Sequence, residues 1–417
     1  MTGPSIEEFR TKVREWLAGH VPRLLPGESM FTASDKEVAR DRAMQRSLWE
    51  GNIAGITVPV EYGGLGLTYE HEQVFREEAG GYRIPGVYWN AVNIAVPVLL
   101  AYGTEAQKRF HIPRILNGEN IWCQLLSEPT GGSDLAGALT RAIRDGDEWV
   151  ISGSKIWTSA GNYSSYGLCL ARTDPDLPKH AGLTMFIVPM NSRGVTVQPI
   201  VMVNRDADFC QEFFEDVRVP AENVVGEVNG GWQVATTLLV SERTNTGRPM
   251  GPASGQDGIV LDRELLDLAN AVGRGTDQRV LSLVGESWVL SEVQRLAARR
   301  VAKAIADGEL PGTAASMLKA LAGYTTLRKG EIVVEVAGLR AIGRKVSQPV
   351  NFGMRRVLSQ NIGGGTTEMQ LNVVAERLLG LPRDSSEDSR RPFSEIRHNV
   401  MPTRRKAIAA TRDQEEP

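Results

Sequence analysis

The chain has 417 residues, enough for two or three packed units, and its 41% hydrophobic and 23% charged residues are typical of a globular protein. Its 47 basic and 50 acidic residues leave a net charge of -3, which argues against nucleic acid as the main partner. The five histidines are scattered without metal-ligand spacing, so no metal site is expected. Cys123, Cys169 and Cys210 lie in hydrophobic runs and are expected to be buried thiols in a reducing compartment.

The first residues have no apolar core of signal-peptide length, and the acidic residues Glu7 and Glu8 come early. The longest apolar stretch, around residues 87–100, is broken by two asparagines and a proline. No segment therefore approaches the ~20 apolar residues that cross a bilayer. We expect a cytoplasmic protein without a membrane span.

Residues 1–119 have helical periodicity and predict an N-terminal helical domain. Phe9 and Val13 fall near one face of the first predicted helix. Asp35 is expected to cap the second helix, and another helix is predicted to begin near Thr68.

Residues 120–229 contain short β-branched and aromatic runs between turns, which predict a middle β domain folded as a small antiparallel barrel or sandwich. Asp145-Gly146-Asp147 is a candidate hairpin turn. The predicted strand segments are 148–151, 167–170, 183–188, 195–197 and 213–217.

Residues 230–400 are helical again and predict a C-terminal bundle, while residues 401–417 form a charged tail that is expected to fray. Helices, a β unit and then helices give an α+β multidomain fold, and this order argues against a doubly wound dinucleotide-binding domain. The predicted helices are 231–244, 261–271, 277–307, 313–339, 347–360 and 367–379.

Two segments of the middle region have the chemistry of a binding site. In 122–134 an apolar strand runs into a turn of small residues, where backbone N–H groups can approach an anion. In 153–161 a tryptophan stands beside hydroxyl residues, an arrangement that suits a flavin ring. Taken alone, the first segment could equally be an ordinary glycine-rich turn and the second a core tryptophan on a strand.

Together with blocks elsewhere, these segments give the chain a resemblance to the acyl-CoA dehydrogenases over roughly residues 5 to 385. Each block is weak by itself, but eight blocks in the family's order make chance an unlikely cause. In chain order the blocks are YGGLG (62–66), SEPTGGSD (127–134), GSKIWTSAG (153–161), FFEDVRVP (213–220), GGW (230–232), SER (241–243), GGGTTEMQ (363–370) and AERLLGLP (375–382).

The resemblance implies an N-terminal helical domain, a middle β domain and a C-terminal four-helix bundle, with FAD held between the last two. It implies α,β-dehydrogenation of an acyl-CoA thioester to the trans-2-enoyl-CoA, with hydride transfer to flavin N5. An electron-transfer flavoprotein would accept the electrons. The expected flavin contacts are Gln124, Leu126 and Ser127 along the flavin, Trp157 on the ring, Thr158 and Ser159 at its N5 edge, and Thr366 and Glu368 from the last helix. Gly132 and Ser133 are expected near the pyrophosphate or the CoA end. The expected substrate contacts are Ser133, Arg243 and Gly364.

Abstraction of an α-proton requires a carboxylate base. Many family members place it just before the Gly-Thr of the late glycine loop, where this chain has Gly364. A second group takes it from an acidic-Arg pair on the first helix of the C-terminal domain, which here is Glu242-Arg243. The resemblance therefore implies that Glu242 is the base. With no side chain to act as a base, Gly364 is instead a candidate to donate its backbone N–H to the thioester oxygen.

Helical spacing supports Glu242 independently of the resemblance. Trp232, Ala235, Leu239 and Glu242 step by three, four and three residues and so share one face, which should be buried. An unpaired buried carboxylate is unfavourable and requires a reason. The alternative to a catalytic role is a structural ion pair, with Arg243 or Arg377 as its partner.

The chain departs from the family pattern where members contact a neighbouring subunit's FAD. The arginine that family members use for this contact is missing from its usual place, and Arg274 and Arg279 are the candidates to replace it. Glu335 stands where a glutamine is usual. This pattern predicts one of two assemblies. The first is a homo-oligomer, a dimer or tetramer, with altered adenine contacts. The second is a heteromer with a paralogous subunit, as in bacterial relatives acting on steroid side chains. Alternative functions are a flavin oxidase or monooxygenase on the same fold and a non-catalytic subunit. The sequence does not identify the acyl chain.

Overall fold

The computed structural model describes residues 3–24, 34–203, 207–246, 265–342, 361–383, 388 and 390–396. The predicted helix 347–360 and the predicted tail 401–417 lie outside the described residues, as does the side chain of Arg243. Among the described helices, none combines the length and the apolarity needed to cross a membrane.

The first helix, α1 (Ile6–His20), confirms the prediction made from its apolar face. Ser5 and Glu8 form a reciprocal capping box at its start, and Phe9 and Val13 are buried. The second helix, α2 (Asp35–Glu50), is capped by Ser34, so the prediction that Asp35 is the cap was wrong. The Ser34 hydroxyl accepts the backbone N–H of the third helical residue, which leaves Asp35 in the first turn, where its charge favours the helix dipole.

Three more helices complete the N-terminal region. The third, α3 (Tyr69–Glu78), follows Thr68 as predicted. The proline-containing α4 (Val96–Tyr102) and then α5 (Glu105–Leu116) lead to the sheet. All three cysteines are buried in the sheet that follows, as expected from their apolar neighbours.

The middle region is one eight-stranded sheet in the order β6-β7-β3-β2-β4-β5-β8, with β1 also paired to β4. Each predicted strand segment lies in an observed strand, and β3 and β7 are longer than predicted. Two pairings, β1 with β4 and β2 with β4, are parallel, so the sheet is mixed rather than purely antiparallel. The strands are β1 (Trp122–Leu125), β2 (Arg141–Asp145), β3 (Glu148–Ser159), β4 (Tyr166–Arg172), β5 (Leu183–Pro189), β6 (Val195–Ile200), β7 (Phe209–Pro220) and β8 (Val224–Val225).

The C-terminal region is helical, as predicted. Residues 265–271 are helical, which agrees with the described part of the predicted helix 261–271. The other described helices are α6 (Gly231–Thr246), α7 (Gln278–Ala306), α8 (Ala315–Ala337) and α9 (Thr367–Val373), the last continuing into a π-helical turn at Val374–Leu378.

Helix α6 is anchored to both preceding regions. Val234, Ala235 and Leu238 are buried in a core shared with helix α4 and with strands β1, β4 and β5. The hydroxyls of Tyr102 and Thr237 lie 3.0 Å apart and are hydrogen-bonded. These contacts hold the helix that carries Glu242 in a defined position on the sheet.

Candidate active site

A buried ion pair joins the two binding segments of the middle region. Lys155 is 0% exposed, and its ammonium donates to Glu128 Oε1 at 2.8 Å and to the backbone oxygens of Leu170 at 2.7 Å and Leu126 at 3.1 Å. All three ammonium protons are therefore used. The pair ties the strand that carries Trp157 to the turn that follows β1.

Glu128 also organises the chain beyond the turn. Its carboxylate accepts the backbone N–H groups of Leu139 at 2.7 Å and Thr140 at 3.0 Å. Burial would raise the pKa of Glu128, but the charge and hydrogen bond of Lys155, together with these two backbone N–H groups, outweigh burial and lower it. The tip of the loop, at Gly132 and Ser133, remains exposed on this fixed base.

The predicted flavin contacts that come before this loop tip in sequence lie on β1 and directly after it. Gln124 is half-buried on β1, Leu126 is buried, and Ser127 is half-buried with its carbonyl accepting the N–H of Ile156 at 2.9 Å. The Ser127 hydroxyl lies beside Gly132, because a Cβ atom at 132 would be 3.6 Å from it. The structure thus brings Ser127 beside both Gly132 and strand β3.

Trp157 occupies a β-bulge. The pairing of β3 with β7 shifts register between Ile156 and Thr158, and Trp157 has a φ of 65°, which is unusual for a residue with a bulky side chain. Its ring is 56% exposed and contacts only the edge of Phe209 among the described aromatic rings. A strained residue that presents a large apolar ring to the outside is typical of a ligand-binding position.

Thr158 does not present its hydroxyl on the same side as Trp157. It is buried, and its Oγ1 donates to Glu212 Oε2 at 2.6 Å. The Thr158 hydroxyl is therefore engaged inside the sheet, and the contact of Thr158 with the edge of a flavin ring stays a prediction. Ser159 is half-buried, and its contact with the edge of a flavin ring stays a prediction.

The two positions considered for the catalytic base, Glu242 and Gly364, lie close together in the structure. A Cβ atom at Gly364 would lie 3.6 Å from Glu242 Oε1 and 3.4 Å from Lys319 Cε. Glu242 is half-buried, and Lys319, on α8, is its charged neighbour. Burial lowers the pKa of Lys319 and the charge of Glu242 opposes this effect.

The glycine loop before α9 has a conformation that favours glycine. Gly364 and Gly365 have φ values of 69° and 86°, and the Gln370 side chain donates to the Gly364 carbonyl at 3.0 Å. The Thr366 hydroxyl caps α9 by accepting the N–H of Met369 at 3.2 Å, and Glu368 is exposed in the first turn. The loop is thereby held against the start of the helix.

The arginines considered for a neighbour's FAD are engaged within this chain. Arg274 donates to the Glu335 carbonyl at 2.7 Å and pairs with Asp277 at 3.1 Å. Arg279 lies 3.4 Å from the Glu335 carboxylate, which also pairs with Arg328 at 3.2 Å. Both candidate arginines therefore take part in an ion-pair network within the chain, and their contact with a neighbour's FAD stays a prediction.

Sequence reasoning did not identify Lys155, Glu128, Glu212 or Lys319 as parts of the site. The first two lie inside the quoted motifs, but nothing in their spacing shows that they pair. Glu212 and Lys319 come from elements distant in sequence. Only the unusual placement of an acid and a lysine on apolar stretches could have drawn attention to them.

Comparison with known proteins places the whole arrangement in one family. Family models described as the N-terminal, middle and C-terminal domains of acyl-CoA dehydrogenase match residues 4–119, 123–217 and 229–379. Acyl-CoA dehydrogenase IpdE1 of Mycobacterium tuberculosis is 34% identical over 394 residues, covering 91% of this chain and 99% of that protein. Acyl-CoA dehydrogenase FadE26 of the same organism is 33% identical, covering 91% and 98%.

Solved structures agree with these matches. A protein described as the Tcur3481-Tcur3483 steroid ACAD has a TM-score of 0.77 at 31% identity, covering 92% of this chain and 99% of that one. The ChsE4-ChsE5 complex from Mycobacterium tuberculosis has a TM-score of 0.72 at 28% identity, with the same coverage of both chains. The chain therefore belongs to the acyl-CoA dehydrogenase family, whose members are flavin-dependent oxidoreductases.

Proposed function

We propose that this enzyme binds FAD and dehydrogenates an acyl-CoA thioester between its α and β carbons, with Glu242 as the base. The observation that carries the proposal is the position of the Glu242 carboxylate, 3.6 Å from where a side chain at Gly364 would begin. A carboxylate from α6 thus reaches the place where many family members are expected to present one from the loop. Gly364 leaves the space that Glu242 needs.

The described residues fit a flavin. The exposed ring of Trp157 offers a flat apolar wall, Ser159 lies two residues on, and Ser127, Gly132 and Ser133 line the adjoining turn. Thr366 and Glu368 extend the proposed contact from α9, and Gln124 and Leu126 from the other side. The flavin, when bound, would supply the acceptor for the β-hydride.

The protein's own residues would handle the proton. Glu242 would take the α-proton onto its carboxylate, and the electron pair of that C–H bond would form the second bond between the α and β carbons. Lys319 is the charged neighbour of this carboxylate, and the charge of Glu242 opposes the effect of burial on the pKa of Lys319. The Gly364 backbone N–H is a candidate donor to the thioester oxygen, and Ser133 and Arg243 are proposed for the CoA moiety.

A spectral titration of the purified protein tests this function. We expect yellow protein whose flavin absorbance bleaches under anaerobic conditions when a suitable acyl-CoA is added, with slow reoxidation in air and with an electron-transfer flavoprotein as the efficient acceptor. Rapid reoxidation by oxygen would favour a flavin oxidase or monooxygenase instead. Colourless protein that fails to take up added FAD would favour a non-catalytic subunit.

For the acyl group we propose a branched or polycyclic chain. The support for this proposal is that one similar solved protein is described as a steroid ACAD. The same titration should use CoA esters of straight, branched and steroid-derived acids. Bleaching only by straight-chain esters would contradict this assignment.

We propose that a second copy of the chain covers one face of α7, forming a homo-oligomer. Exposed apolar side chains fall within a stripe along this helix, a pattern typical of an interface. Heteromers of two different chains, as in the ChsE4-ChsE5 complex, are the alternative. The exposed side chains in this stripe are Leu281, Trp288, Val289, Val293 and Leu296.

Replacing Trp288 with glutamate should disrupt this assembly, because a charge would stand in a desolvated apolar contact. Light scattering after size-exclusion chromatography should show the wild type as a dimer or tetramer and the variant at a smaller mass. The matched control is Trp49→Glu, an exposed tryptophan on α2. An unchanged mass for the Trp288 variant, or a monomeric wild type, would contradict the proposed interface.

A further inference from the structure

A buried acid lies directly behind the segment that carries Trp157, and the proposed mechanism does not use it. Glu212, on β7, is 0% exposed. The Thr158 hydroxyl donates to its Oε2 at 2.6 Å, and its Oε1 has no hydrogen-bond partner among the described residues. Oε1 packs so closely on Gly161 that a Cβ atom there would overlap it. The carboxyl is thus held between the two ends of the segment 158–161.

In the part of the chain that the structure describes, no ion-pair partner of Glu212 is found. Lys155 is its register partner on β3, but the ammonium of Lys155 donates to Glu128 and to two backbone oxygens. The described ion pairs include none that involves Glu212. Its other titratable neighbours are the thiols of Cys123, Cys169 and Cys210, whose pKa values burial raises, so they stay neutral.

A neutral carboxyl therefore suits this position better than a carboxylate. An ionised group without a counter-charge in an apolar interior is unfavourable. Burial raises the pKa of Glu212 to about 7, and the hydrogen bond from Thr158 opposes part of that effect. The acid is thus neutral below neutral pH and ionised above it.

We propose that Glu212 is a positioning residue for the flavin: through the Thr158 hydroxyl it holds the bulge that presents Trp157 and Ser159 on the outer side of β3. This inference rests on the proposed function, since the flavin is the group that those side chains would contact. The left-handed backbone of Trp157 is strained and persists only if its neighbours hold it. Thr158 is the adjacent residue, and its side chain is anchored to a group on another strand.

The packed sheet accommodates the neutral form of Glu212 better than the ionised form. This difference sets the direction of the pH effect on flavin binding. As pH rises through about 7, ionisation of Glu212 strengthens the hydrogen bond from Thr158, but burial of the charge is the larger effect, so the ionised acid favours loosening of the segment that carries Trp157. FAD should therefore bind more weakly at alkaline pH. If the pKa of Glu212 differs by one unit between the FAD-bound and the FAD-free protein, the dissociation constant of FAD changes about tenfold.

The test is the dissociation constant of FAD between pH 5.5 and 9, measured by flavin absorbance and fluorescence on the full-length protein. We expect a rise of about tenfold with a midpoint near 7 for the wild type and for the control Glu215→Gln, which changes an exposed carboxylate on the same strand. Glu212→Gln should bind FAD as the wild type does at pH 6 and show a flat profile. Thr158→Val should weaken binding and move the midpoint to higher pH, because its hydroxyl lowers the pKa of Glu212.

The outcomes separate this inference from the proposed function. A wild type that binds FAD tightly with a flat pH profile, or a Glu212→Gln variant that keeps the transition, would overturn the positioning role alone. If Glu212→Gln does not fold, the midpoint of Thr158→Val decides, and an unshifted midpoint overturns the role. A wild type that binds no FAD at any pH would reject the proposed function, and this inference with it.

Discussion

Glu242→Gln is expected to lower the rate of acyl-CoA dehydrogenation by about 10²–10⁴-fold, the usual scale of general-base catalysis, while the protein keeps its flavin. Glutamine has the size of glutamate but cannot accept the α-proton. Helix α6 should stay in place, because its anchoring contacts come from Val234, Ala235 and Leu238, about one to two turns away. The measurement is the anaerobic rate of flavin bleaching by acyl-CoA in single-turnover experiments.

Two variants control this prediction. Glu242→Asp keeps a carboxylate but withdraws it by one methylene, so it should retain more activity than the glutamine variant. Glu227→Gln removes an exposed carboxylate just before α6 and should leave the rate unchanged. Near-normal turnover by Glu242→Gln would reject the base assignment. Loss of the flavin from that variant would instead indicate a structural ion pair with Lys319.

The half-buried position of Glu242 on α6 could be predicted from sequence because it depends on helical periodicity. One face of α6 repeats every three to four residues, and the core contacts made by Ala235 and Leu239 lie on the face that Glu242 shares. The neighbour of that carboxylate could not be predicted. Lys319 belongs to α8, and its approach to Gly364 depends on how the bundle helices cross.

The strand that carries Trp157 shows why local patterns fail at a bulge. Lys155 and Thr158 are both buried although they are three residues apart, which the two-residue alternation of a regular strand does not allow. The extra residue at Trp157 accounts for the shift. Sequence reasoning could recognise the tryptophan as a flat wall, but not that its neighbour's hydroxyl turns inward.

Pairing direction and capping were the other misses, and both have local causes. Apolar runs show that β1 is buried, but they do not encode whether it runs parallel to β4. Ser34 and Asp35 are adjacent residues that both favour the start of a helix. Only the backbone geometry decides which of them caps α2.

Lys155→Met is expected to destabilise the protein by about 3–5 kcal/mol, the usual cost of breaking a buried ion pair by removing one partner. Glu128 would keep two backbone N–H donors but lose its only cationic partner among the described ion pairs. The turn that Glu128 organises should then loosen, and bound flavin per protein should fall. Urea unfolding followed by tryptophan fluorescence, together with the flavin absorbance of the purified variant, measures both effects.

A double variant distinguishes between two causes of this destabilisation: an uncompensated charge on Glu128 and the simple loss of a contact. If the uncompensated charge of Glu128 is the cause, the double variant Lys155→Met with Glu128→Gln should be more stable than Lys155→Met alone. Arg218→Met provides the matched control, because Arg218 pairs with Asp145 and Glu148 on the exposed side of the same sheet. Exposed pairs contribute about 0–1 kcal/mol, so that variant should unfold near the wild-type midpoint. A Lys155 variant as stable as the Arg218 variant would show that the buried pair does not hold the two binding segments together.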